Sequence, residues 1–154
     1  MRIALKIAAV GIATVIVIAQ FIRPERTNPP IVHADTIYGS MSVPEDVQAV
    51  LTRSCADCHS NNTAYPWYSN VSPFSWFLAD HIAHGRRELN LSIWNTYSAS
   101  KKNKGLEEIC EQVESGEMPL PSYLWVHRDA ALSDSDKKVL CDWAAAKSDE
   151  LGVE

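Results

Sequence analysis

The sequence predicts an all-α protein, a small helical domain preceded by one N-terminal transmembrane helix. Three features point there. Apolar residues in the second half of the chain recur at three- and four-residue spacing, as in Leu106, Ile109, Cys110 and Val113. No stretch sustains the alternation that a half-buried strand needs. Residues 3–22 form an apolar run broken only by Lys6, Thr14 and Gln20, which is the length of a bilayer-spanning helix.

Residues 1–23 are therefore expected to be a membrane anchor, the alternative being a signal peptide cleaved after Val17-Ile18-Ala19. Flanking charge leaves the orientation open, since Arg2 and Lys6 on one side face Arg23 and Arg26 on the other. Residues 24–40, with Pro24, Pro29 and Pro30, read as a linker in which His33 is solvated. Residues 41–154 form the domain. Its first helix is opened by Ser42-Val43-Pro44-Glu45, which has the pattern of a capping box, and buries Val47, Val50 and Leu51. A second begins near Ser72-Pro73 and closes at Gly85; a third runs from about Lys102 to Glu114 and stops at Gly116. Ser133 with Asp136 opens a fourth, whose stripe is Val139, Leu140, Trp143 and Ala144.

The chain of 154 residues carries a net charge of −5. From residue 31 onward ten Lys and Arg stand against eighteen Asp and Glu, a net −8. Such a surface excludes nucleic acid as a partner. It suits either an encounter with a basic patch on a redox protein or simple solubility.

Chemistry concentrates in Cys55-Ala56-Asp57-Cys58-His59. C-x-x-C-H is the spacing that attaches a c-type haem: two thiols meet the two vinyl groups of one porphyrin, and the next imidazole meets the iron. A thioredoxin-like pair would open a helix, whereas this one closes a helix. A zinc site would want a second C-x-x-C, and Cys110 and Cys141 stand far apart. Those two fall on the apolar sides of the third and fourth helices, either as a disulfide or as two buried thiols; an oxidising compartment favours the bridge. Tyr65, Trp67, Tyr68, Phe74, Trp76 and Phe77 follow the motif closely and are expected to wall a flat apolar ring. Met118, in the proline-rich stretch Gly116 to Pro121, is the sixth ligand expected opposite His59, with His81, His84 and His127 as competitors.

The order of capped helix, C-x-x-C-H, loop methionine followed by proline, and terminal aromatic-bearing helix resembles class I c-type cytochromes. The longer block Cys55 to Thr63, then Tyr65-Pro66-Trp67-Tyr68-Ser69, Pro73, Ser75-Trp76, Gly85-Arg86, Leu89-Asn90 and Ser92-Ile93-Trp94, is similar to the bacterial haem-binding domain family. The resemblance covers about residues 38–146. It implies a small cytochrome c-like fold around one haem c per chain, with Cys55 and Cys58 as thioethers and His59 and Met118 as iron ligands. It further implies that the free ring nitrogen of His59 donates to a carbonyl near Pro73, and that Trp67, Tyr68, Arg86 and Arg87 are candidates to hold haem propionates. It names no redox partner.

These readings converge on an electron carrier rather than a catalyst, single-pass in the inner membrane with its haem domain in the periplasm or extracytoplasmic space. The alternative is a haem enzyme or a gas- or peroxide-binding sensor with an open or labile sixth position. A third reading is a structural haem or zinc module without reversible redox chemistry.

Overall fold

The computed structural model describes residues 1–152, which are helical throughout their regular structure, with no strand among the described residues. Helix α1 (Arg2–Ala19) is apolar apart from Arg2, Lys6 and Thr14, and none of it is buried. Eighteen residues at about 1.5 Å each extend about 27 Å, close to the hydrocarbon thickness of a bilayer. By length and composition it is able to cross a membrane.

Folding begins earlier than the expected linker boundary. Ile37 is fully buried, and its amide donates to the Leu91 carbonyl at 2.8 Å. Thr36 caps α2 (Ile37–Ser40) by accepting from the Gly39 amide. Asn28 and Thr63 exchange two hydrogen bonds, so even the proline-rich stretch is strapped to the domain. An apolar side chain and an N-cap residue within residues 24–40 outweigh the prolines around them. His33 is exposed, as its place in this segment predicts.

Helix α3 (Glu45–Ser54) buries Val47, Val50 and Leu51 as predicted, but its capping box does not form. Pro44 is the N-cap, so Glu45 is the first helical residue and cannot reach back as a third-position partner. Asp46 instead accepts from the Val47 amide, and the Ser42 carbonyl accepts from Trp143 Nε1. One further turn, α4 (Ala56–His59), follows directly. Helix α5 (Phe74–Glu88) runs through Gly85 rather than ending there, because that glycine serves a close approach and not a stop.

Helix α6 (Ala99–Ser115) starts slightly before the expected Lys102, at the Ser98 cap, and ends at Gly116 with φ 78°. That left-handed conformation is one a glycine adopts without cost. After the short α7 (Pro121–Leu124), α8 (Asp134–Leu151) opens with the predicted capping box, Ser133 and Asp136 bonding in both directions. Leu106, Ile109 and Val113 of α6 meet Leu140, Trp143 and Ala144 of α8 to form the core. Cys110 stands at disulfide distance from Cys141, and Ser148 bonds to Asn103, so the two helices run antiparallel.

Candidate functional site

Cys55 ends α3 and begins α4, and Cys58 lies three residues on, so one helical turn carries both thiols on neighbouring positions of one face. Helix α5 presses on this turn through Gly85, where an added Cβ would meet the Cys58 carbonyl oxygen at 2.9 Å. Any larger side chain would hold α5 away from the cysteines.

The expected carbonyl partner of His59 is found, but at a different place. Nδ1 of His59 lies 3.0 Å from the carbonyl of Leu89, just past α5, and not near Pro73. A carbonyl only accepts, so Nδ1 carries the proton and Nε2 presents its lone pair. Burial also holds the imidazole pKa below its ordinary value, with the Leu89 bond opposing, which favours the neutral, ligating form. The reason for the Leu89 position lies in a buried polar cluster. The Leu91 amide donates to the His59 carbonyl at 2.8 Å, the Asn61 amide to Ser92 Oγ, and Asn90 Nδ2 to Asn61 Oδ1. Asn61, Asn90 and Ser92 thereby clip the exit of α4 to the exit of α5. Asn90 and Ser92 alternate with Leu89, Leu91 and Ile93, a pattern that marks them in the sequence, whereas Asn61 lies in a polar run and carries no such mark.

Cys55, Cys58, His59 and Met118 line one cavity of about 660 Å³. Cofactor sites span roughly 300–1,000 Å³. Helix α6 contributes Gly105, Ile109 and Val113 to its wall, and the segment after α6 contributes Met118, Pro119 and Leu120. His81, His84, Glu88 and Glu108 add polar groups. Ser54, also on the wall, has a buried hydroxyl without a hydrogen-bond partner. Burial pushes the Cys55 thiol up to about 12, with Cys58 adding to it, and the Cys58 thiol up to about 11, with Asp57 adding to it. Reactive dithiols need the opposite environment. An apolar cavity lined by two neighbouring thiols, one imidazole with a free nitrogen and one thioether fits a haem.

The other expected site residues stand outside this cavity. Arg86 donates to the Ser60 and Thr27 carbonyls, to Asn28 Oδ1 and to Thr63 Oγ1, at 2.8–2.9 Å. It is a clamp between the linker and the residues after His59. Trp67, Phe74, Trp76 and Phe77 are exposed, so the aromatic run does not wall the cavity. Tyr68 bonds to His127 Nε2 at 2.7 Å, and the His127 ring stacks on Tyr123 at 4.2 Å. Tyr123, absent from the sequence reading, lines the cavity and donates to Asp57 Oδ2 at 2.8 Å. That bond joins the turn carrying Cys55 and Cys58 to the segment that carries Met118. Burial and the Asp57 carboxylate both raise the Tyr123 pKa, so its hydroxyl stays a donor.

A family model described as a haem-binding domain matches residues 14–146. No curated protein and no solved structure matches the chain.

Proposed function

The chain belongs to the haem-binding domain family, and from that premise we propose a membrane-anchored, monohaem, c-type cytochrome-like electron carrier working outside the cytoplasm. One observation carries the reading: Cys55, Cys58, His59 and Met118 line a single cavity. Haem held there supplies a one-electron ferric–ferrous couple. Cys55 and Cys58 would hold the group, each S–H adding across one vinyl double bond to give a thioether with no net loss of electrons. His59 would give Nε2 to the metal, with the plane of its ring fixed by the Leu89 carbonyl. Met118 would offer its thioether to the iron, and Gly105, Ile109 and Val113 give the wall an apolar lining. Cys110 and Cys141, paired with each other, leave Cys55 and Cys58 as the two thiols for attachment. Helix α1 tethers the domain, and the disulfide suits an oxidising compartment.

The test is a mass measurement on full-length chain made in a host that matures c-type cytochromes. Denatured protein is expected to stay coloured and to carry the mass of one haem, and Cys55→Ala with Cys58→Ala to carry none. An unmodified wild-type mass would overturn covalent attachment. Met118→Ala is expected to abolish the weak near-infrared sulfur-to-iron band and to lower the reduction potential. Persistence of both would assign the sixth position to a histidine.

A second reading, an enzyme or gas sensor, is favoured by His81. Its Nδ1 faces the Phe77 carbonyl at 2.8 Å, leaving Nε2 free on a residue that lines the same cavity. Such a group is placed to exchange protons with a small ligand. Rapid binding of carbon monoxide by the reduced protein would establish it; a reduced form that ignores carbon monoxide supports the carrier.

A further inference from the structure

The aromatic run that does not wall the cavity has a different setting. Trp67, Phe74 and Phe77 are 79%, 61% and 52% exposed, with Trp76 partly exposed beside them. Phe74 and Phe77 are one turn apart on α5 and share a face. Between Asp57 and Asp80 the chain contains no Asp, Glu, Lys or Arg, although the domain as a whole is strongly acidic. Uncharged aromatic surface of this kind is what a membrane–water interface accepts.

The same segment is fastened to the end of α1. Gln20 Nε2 donates to the Ser72 carbonyl at 3.1 Å, and the Ser72 amide donates to Gln20 Oε1 at 3.0 Å. Trp76 Nε1 donates to the Ile22 carbonyl at 2.6 Å, and Arg26 reaches Ser69 and Asn70. The exposed rings therefore sit at the level where the apolar helix ends. Resting on the reading of α1 as a membrane span, we propose that Trp67, Phe74, Trp76 and Phe77 insert into the bilayer interface. They hold the domain against the lipid surface instead of letting it swing on a tether. Because α5 continues through His81 to Glu88, this contact sets the cavity rim about 6–16 Å along the helix from Phe77.

The experiment uses full-length, haem-loaded chain in phosphatidylcholine vesicles that carry a photoactivatable diazirine near the glycerol end of one acyl chain. Lipid adducts are mapped by mass spectrometry. Adducts are expected on residues 3–22 and on residues 67–77. Phe74→Ser with Phe77→Ser is expected to lose the second set and keep the first, with an unchanged circular dichroism spectrum. Adducts on α1 alone would overturn the inference and leave the anchor standing. Absence from both would remove the anchor and the inference with it. Chain-to-chain cross-links at 67–77 in place of lipid adducts would assign the face to a second copy and also overturn it.

Discussion

Gly85 and Cys58 approach so closely that a single added carbon at Gly85 would lie 2.9 Å from the Cys58 carbonyl oxygen. That atom belongs to backbone and cannot swing aside. Helix α5 must therefore shift, and with it Leu89, whose carbonyl orients His59. Gly85→Val is expected to destabilise the domain by about 1–3 kcal/mol through overpacking. It should also lower the fraction of chain that carries haem. Denaturant titration and intact mass read the two effects, and a variant of wild-type stability and loading would show that the contact is not restrictive.

Arg86 separates two roles that the sequence leaves joined. As a propionate ligand its loss would move the reduction potential. As a clamp on Ser60, Thr27, Asn28 and Thr63 its loss would mainly weaken the fold. Lysine cannot reproduce the planar fork, so Arg86→Lys is expected to cost about 2–3 kcal/mol while leaving the potential near the wild-type value. A shifted potential at unchanged stability would return Arg86 to the haem.

The Cys110–Cys141 pair closes a loop with a sequence separation of 31. In the chain-entropy account such a cross-link is worth about 3–4 kcal/mol. Replacing both residues by serine should lower the denaturation midpoint accordingly and leave the haem mass adduct in place. Loss of the adduct would mean that the pair takes part in attachment.

Much of the domain was legible because its signals are local. Ser133 with Asp136, and Gly116, announce helix ends through their own side chains or backbone freedom, and the core stripes of α6 and α8 follow helical spacing. The juxtaposition of Cys55, Cys58, His59 and Met118 could be anticipated from type and spacing. What could not be read depends on tertiary neighbours. Nothing local says that Gly85 meets Cys58 instead of ending a helix, or that Leu89 supplies the carbonyl for His59. Tyr123 finds Asp57 across 66 positions, and Ile37 joins the core with its amide bonded to the distant Leu91 carbonyl. The aromatic run was misplaced for the same reason: ring count shows that a face is apolar, not what covers it.

Asp136 makes stability depend on pH in a predictable sense. Its carboxylate accepts from the Ser133 amide at 2.9 Å and from the Ser133 hydroxyl at 2.7 Å, and it pairs with Arg53 at 3.0 Å. The backbone bond from Ser133 is the largest cause of its lowered pKa, followed by the hydroxyl, with Arg53 assisting. A carboxyl group whose folded value lies below its unfolded value, about 3.9, stabilises the fold at higher pH. That contribution fades as the pH falls through the folded value. Asp136→Asn is expected to cost about 1 kcal/mol near neutrality, where the cap and the ion pair are both charged. The difference from wild type should shrink as the solution is taken below about pH 4, because the wild-type carboxylate then protonates. Denaturant titrations of both proteins across that range measure it, and a difference that stays constant would mean that the charge contributes nothing.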